Sequence, residues 1–192
     1  LKQSFSVETE GTYTGGNLGI AGSVVYQNRN VFHGAEILEL KFKGALEGQK
    51  LVQEIPDSPE ELVRLNTFEI GPTASFTVPR FLVPFPIGKV SKNSNPKTVF
   101  RSALNYQKRL DYTRSITNAS FGYNLKESQA KLHILNPLEV SYVQVDLKPD
   151  FEQKLIVRND QFLLNSYSDH LVFGSSYSFI FNNQDIKKNK KN

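Results

Sequence analysis

The chain has 192 residues, of which 39% are hydrophobic and 22% charged, and a formal net charge of +4. No run of about 18 apolar residues occurs, which excludes a transmembrane helix but leaves a spanning barrel open, because half of every barrel strand faces water and the average over both faces is unremarkable. Cysteine is absent, which removes disulfides, thiol nucleophiles and cysteine metal sites, and the lysines at 187, 188, 190 and 191 equal the whole charge surplus, so a basic footprint for nucleic acid is lacking.

The first predicted strand is Gln3 to Tyr13, with Phe5, Val7 and Tyr13 on one parity and Lys2, Glu8 and Glu10 on the other. Thr14, Gly15 and Gly16 supply a turn into Asn17 to Gln27, where Leu18, Ile20, Val24 and Tyr26 oppose Gly19, Ala21, Ser23 and Gln27. After the connector NRNVFHGA, Glu36 to Glu47 sets Leu38, Leu40, Phe42 and Leu46 against Glu39, Lys41 and Lys43. A loop is expected from Gly48 to Leu65, with Ser58 and Glu61 spaced as a capping box. Asn66 to Val78 shows the cleanest alternation: Phe68, Ile70, Pro72, Ala74, Phe76 and Val78 against Thr67, Glu69, Gly71, Thr73, Ser75 and Thr77. Pro72 cannot donate to a ladder, so it is expected at a bulge or beyond its neighbour's end. Pro79, Pro84 and Pro86 then stop the pairing.

Following a turn at Asn93 to Pro96, Lys97 to Gln107 places Phe100, Leu104 and Tyr106 opposite Arg101, Asn105 and Gln107. Ser115 to Leu125 places Ala119, Phe121, Tyr123 and Leu125 opposite Asn118, Ser120, Gly122 and Asn124. In Lys131 to Tyr142, Leu132, Ile134, Leu138, Val140 and Tyr142 are expected on one face, with Lys131, His133 and Glu139 on the other. Beyond Tyr142 the phase passes to Val143, Val145 and Leu147, which reads as a bulge or as emergence from a spanning region. A loop with a short helical piece at Phe151 to Val157 precedes the last strand, His170 to Asn182.

About eight strands in up-and-down order make one all-β unit. Many polar-face positions are Gly, Ala, Ser, Thr and Asn with a few charges of both signs, which suits a curved, hydrated lumen, and the apolar faces carry no charge inside any predicted strand. Tyr13, Tyr26, Tyr106, Tyr123, Tyr142, Phe179 and Phe181 fall near strand ends, where interfacial girdles lie. The same rings also suit the core of a soluble barrel or sandwich, so alternation alone leaves both architectures open.

Gly16 to Glu47, GNLGIAGSVVYQNRNVFHGAEILELKFKGALE, resembles the opening hairpins of the barrel in the BamA/TamA superfamily of outer-membrane assembly proteins. The likeness lies in the turn residues Asn28, Asn30, Phe32 and Gly34, and it continues through ASFTVPRFLVPF, NYQKRLDYTR, LNPLEVSYVQV and SYSDHLVFGSSYSFIFNNQ. It covers most of the chain but only part of a family member. Neither the preceding POTRA domains nor the Arg-Gly lumenal-loop motif is present.

The resemblance implies an antiparallel up-and-down transmembrane β-barrel, of which residues 1–192 are the N-terminal half. A chain without Met that starts at Leu1 fits such a processed or excised piece. It further implies a bacterial outer-membrane location, periplasmic entry at Leu1, and extracellular loops at Gly48 to Leu65 and Lys148 to Asp169. The implied activity is non-enzymatic insertion of barrel proteins through a lateral seam on the first strand, at Phe5, Val7, Thr9, Gly11 and Tyr13. Implied partners are nascent outer-membrane barrel proteins, membrane lipids and a periplasmic TamB-like protein, with no cofactor and no nucleic acid. A passive porin-like channel and a soluble β-sandwich binding module are the competing expectations.

Catalytic patterns are weak. His33, His133 and His170 stand apart, without a ligand spacing such as HExxH. Gly16, Gly19 and Gly22 lie at a turn and along a strand, whereas phosphate-binding glycines sit between a strand and a helix. Asn118-Ala119-Ser120 matches a glycosylation sequon but falls inside a predicted strand, and the KKNKK run reads as a solvated turn.

Overall fold

The structure is a computed structural model that describes residues 2–14, 17–50, 63–83, 94–128, 130–157 and 167–182. Among these residues eight strands follow one another as β1 (Gln3–Thr14), β2 (Asn17–Asn28), β3 (Ile37–Lys50), β4 (Val63–Val78), β5 (Lys97–Lys108), β6 (Tyr112–Lys126), β7 (Lys131–Leu147) and β8 (His170–Phe181), with one helix, α1 (Pro149–Val157), before β8. They form a single antiparallel sheet in chain order, β1 to β8, and the sheet is not closed. This is the all-β, up-and-down arrangement read from the alternation.

Antiparallel partners project to the same face, so the register assembles each strand's parity into two continuous surfaces. One rung runs Val7–Val24–Phe42–Pro72, and beyond an unpaired step it resumes as Leu104–Thr117–Tyr142–Leu171. A neighbouring rung on the other surface runs Ser6–Val25–Lys41–Thr73–Ala103–Asn118–Ser141–Val172. The unpaired step is where Pro72 sits. The β4–β5 ladder pairs Ile70 with Tyr106 and Thr73 with Ala103 and skips the residues between. Proline's missing N–H is thus taken up by a gap in an unshifted register, and neither a bulge nor a strand end is needed.

Two expectations for β7 are corrected. Leu132 and Ile134 do not share a face with Leu138, Val140 and Tyr142: a register shift between Asn136 and Glu139 puts His133 and Leu135 on that face instead. Pro137 occupies this bulge, where an extra residue leaves the ladder and a missing donor costs nothing. There is also no bulge after Tyr142. The β6–β7 pairing continues unbroken to Tyr112–Leu147, so the change of phase marks the part of the β6–β7 pair that runs on past the start of β8, with β5 still alongside as far as Lys108–Thr113. Tyr112 at the tip of the pair contacts Tyr167, which in turn contacts Phe151 of α1.

The 48–65 loop is also shorter than expected, since β3 runs on to Lys50 and β4 starts at Val63, with an irregularity at Glu47/Gly48. The Ser58–Glu61 capping box, Gly15–Gly16, Pro84, Pro86 and the C-terminal lysines lie outside the described residues.

Burial is inverted relative to a water-soluble sheet. Among the described residues only Val78 (4% exposed) and Val99 (7%) are buried hydrophobics, while Ser23, Glu36, Thr67, Thr98 and Gln107 are buried polar groups. Large apolar side chains stand open along the apolar surface, from Phe5 (74%) on β1 to Phe173 (66%) on β8.

Candidate functional site: two faces and two free edges

On the polar face, side-chain hydrogen bonds join neighbouring strands at both edges of the sheet and between β4, β5 and β6. Ser23 Oγ and Lys41 Nζ both donate to Glu8 Oε2, at 3.1 and 3.4 Å, tying β1 to β2 and β3. Gln27 Nε2 donates to Glu39 Oε2 at 3.3 Å, Asn105 Nδ2 to Glu69 Oε1 at 2.8 Å and Arg114 Nη2 to Gln107 Oε1 at 3.0 Å. At the β7 bulge Asn136 Nδ2 donates to Glu139 Oε1 at 2.8 Å, and Ser176 Oγ donates to the same oxygen at 2.9 Å. Gly122 makes room for this network, because a Cβ there would collide with Asn136 Oδ1 and stand 3.0 Å from the Leu135 carbonyl. The sequence reading missed this cluster, although an Asn-Pro pair inside a strand is a break signal.

The apolar face is organised differently. At the rim where β1 begins, rings form a belt: Phe32–Phe76 (6.0 Å), Phe76–Phe100 (6.5 Å), Phe100–Phe121 (5.0 Å), Phe121–Tyr123 (5.0 Å) and Tyr123–Phe81 (5.5 Å). Phe5–Tyr26 and His133–Phe179, each at 5.0 Å, lie towards the two edges. The apolar band also slides across the rungs. On β1 and β2 its far limit is the Tyr13–Leu18 rung, whereas on β7 and β8 it is the Tyr142–Leu171 rung, which lies level with Val7. A band oblique to its own hydrogen bonds is the pattern of strands tilted against a layer of fixed orientation.

This rim also carries a turn closed by side-chain to backbone hydrogen bonds. The Glu36 carboxylate accepts from the backbone N–H of Gly34 at 2.9 Å and of Phe32 at 3.3 Å, and Asn30 Oδ1 accepts from Ala35 N–H at 3.1 Å. His33 and Ala35 take positive φ of 66° and 61° to close the turn. A Cβ at Gly34 would strike the carboxylate. Hydrogen bonds from its own backbone N–H and from Gly34 and Phe32, with the positive charge of Arg80, hold the Glu36 carboxyl below the usual range against the opposing effect of burial. Beside it Thr98, fully buried, accepts from Leu82 N–H at 2.9 Å and donates to the Arg80 carbonyl at 2.7 Å.

The predicted seam residues Phe5, Val7, Thr9, Gly11 and Tyr13 all lie on β1, on the apolar face, opposite Tyr26, Val24, Gly22, Ile20 and Leu18. Among the described residues β1 is one edge of the sheet and β8 the other, each hydrogen-bonded to a strand on one side only. Next to β1, the rung Thr9–Gly22–Gly44 leaves a groove of about 660 Å³, walled by Ile20, Leu46 and Phe68. Asn118 lies within β6 on the polar face, and the described residues contain no group of three or more metal-ligating side chains. No described helix is long and apolar enough to cross a membrane, which has no bearing on strands.

No protein-family model matches the sequence, and neither a curated protein nor a solved structure does.

Proposed function

We propose that this sheet is part of the wall of a transmembrane β-barrel in a bacterial outer membrane, with its apolar face in lipid and its polar face on a hydrated lumen. The observation that carries the reading is the inverted burial, since a sheet with an uncovered apolar face and buried serine, threonine and glutamine is stable only where something other than water covers that face. The dimensions agree with lipid. From Phe68 to Val78 the apolar run is roughly 33 Å along the strand at about 3.3 Å per residue. Tilted by about 40°, it spans roughly 25 Å, the height of an outer-membrane apolar band.

The barrel so formed is an assembly factor that inserts other barrels through a seam at β1. The resemblance at Gly16 to Glu47 motivates this, and the character of β1 supports it: on the apolar side Thr9 and Gly11 interrupt its anchors, while its backbone edge is open for an added strand. Nascent barrel proteins are the clients, and a periplasmic TamB-like protein is the expected partner.

Cysteines placed along Gln3 to Thr14, in membranes assembling client barrels, test it. Crosslinks to client strands along β1, and none from matched positions in β4, are expected. Ion conductance without any client crosslink identifies a passive channel instead.

A further inference from the structure

The bulge at Pro137 turns His133 onto the apolar face, between Leu125 of β6 and Phe179 of β8, at the rim of the aromatic belt. There it joins polar groups from three elements. Its Nε2 lies 3.0 Å from Glu127 Oε2 in the β6–β7 turn, its Nδ1 lies 2.8 Å from the Tyr177 hydroxyl of β8, and Lys131 Nζ donates to Glu127 Oε1 at 3.3 Å. The rings of Phe179 and Tyr177 flank the imidazole at 5.0 and 6.2 Å, and Lys126 precedes Glu127 in the chain. All four side chains are partly open to their surroundings.

Elsewhere the apolar band of this face carries aliphatic and aromatic groups with small polar ones such as Thr9, Ser102 and Thr117, and the charged side chains Lys108 and Asp146 stand at the opposite rim on either side of Thr113; at this rim the ammonium and the carboxylate are instead held together, 3.3 Å apart. Their hydrogen-bonding capacity is not exhausted: Lys131 keeps two N–H donors, and Glu127 keeps lone pairs beyond the two in use. The hydrogen bond from His133, and then that from Lys131, hold the Glu127 carboxyl below the usual range, so it is an acceptor at neutral pH. One positive and one negative side chain together match a ligand that is neutral overall but charged at both ends.

We infer that Glu127 and Lys131, held in place by His133 and Tyr177, form a headgroup site for an ethanolamine phospholipid of the bilayer, with phosphate oxygens on Lys131 and the primary ammonium on Glu127. The site rests on the reading that this face meets lipid, and its depth follows from it: the cluster lies where the aromatic belt ends and the headgroup zone begins. A choline headgroup carries no N–H to donate to Glu127, and a glycerol headgroup carries no cation.

The test is native mass spectrometry of the detergent-solubilised chain after exposure to ethanolamine, choline and glycerol phospholipids with identical acyl chains. The ethanolamine lipid is expected to be retained roughly tenfold over the other two, the size of effect that a charge-assisted hydrogen bond supplies. Glu127→Gln is expected to equalise ethanolamine and choline lipids. Lys131→Gln and Tyr177→Phe are expected to lower retention of ethanolamine lipid, and Lys148→Gln at the opposite rim to change nothing. Equal retention of all three lipids by the unaltered chain, or a preference that survives Glu127→Gln, overturns the site. A chain that stays out of micelles altogether overturns the membrane reading on which the site rests.

Discussion

The two faces of one sheet are held by different chemistry. On the polar face carboxylates, amides and hydroxyls bond between neighbouring strands, among them Glu8 on β1 and Ser176 on β8. On the apolar face the contacts are between rings and aliphatic groups, and most of the surface is left open. A soluble sandwich keeps its bulky apolar groups inside and its hydrogen bonds to water outside; here the polar side is the self-sufficient one. The apolar face is therefore the one that the chain leaves for its surroundings to cover.

Substitutions that reverse the character of one face are expected to give the largest effects. Phe42→Arg puts a charge in the middle of the apolar band and is expected to cost roughly 2 to 4 kcal/mol of stability in lipid. Ala103→Lys, on the polar face opposite Thr73 and Asn118, is expected to leave stability nearly unchanged. Denaturant titration in vesicles measures both, and equal losses from the two would break the distinction between the faces.

Removing a buried bond from the rim comes next. Thr98→Val leaves the Leu82 N–H and the Arg80 carbonyl without their partner, at about 1 to 3 kcal/mol, which the same titration reads. Gly122→Ala is expected to displace Asn136 and open the β7 bulge, costing about 1 kcal/mol or somewhat more. Faster amide exchange around Asn136 would report it.

Glu36 sharpens the comparison through pH. Its carboxyl is held below the usual range by its own N–H and those of Gly34 and Phe32. Its contribution is therefore complete above the ordinary carboxylate pKa and is lost as pH falls through the lower, folded value. Unfolding midpoints of the parent protein should drop across that acid window more steeply than those of Glu36→Gln. The smallest change is expected from Lys41→Gln, since its 3.4 Å pair with Glu8 is exposed and water and salt screen such pairs.

The strands were legible because a period of two is written locally. Each run, such as Phe68 to Val78, shows its parity without reference to any neighbour, and all eight strands formed where that parity ran. The β7 faces were misread for the same reason. Leu132, Ile134, Leu138 and Val140 share a parity in the sequence, but one extra residue at Pro137 moves Leu132 and Ile134 across the sheet, and only the Asn-Pro pair signals it. The Glu36 turn was legible as a connector and no further, because its order comes from a carboxylate folding back on N–H groups two and four residues earlier. The cluster at His133 was invisible, since it joins Glu127 and Tyr177 across three elements. Whether the edges close is not written in any strand, because closure depends on what pairs with β1 and β8.

The central claim, that lipid covers the apolar face, is tested most directly by single cysteines along β3, in a chain that has none of its own. With a fluorophore at each position from 38 to 46 and a quencher confined to the lipid tails, quenching should alternate: strong at Leu40, Phe42 and Gly44, and weak at Glu39, Lys41, Lys43 and Ala45. Uniform quenching along β3, or none at any position, would contradict the account.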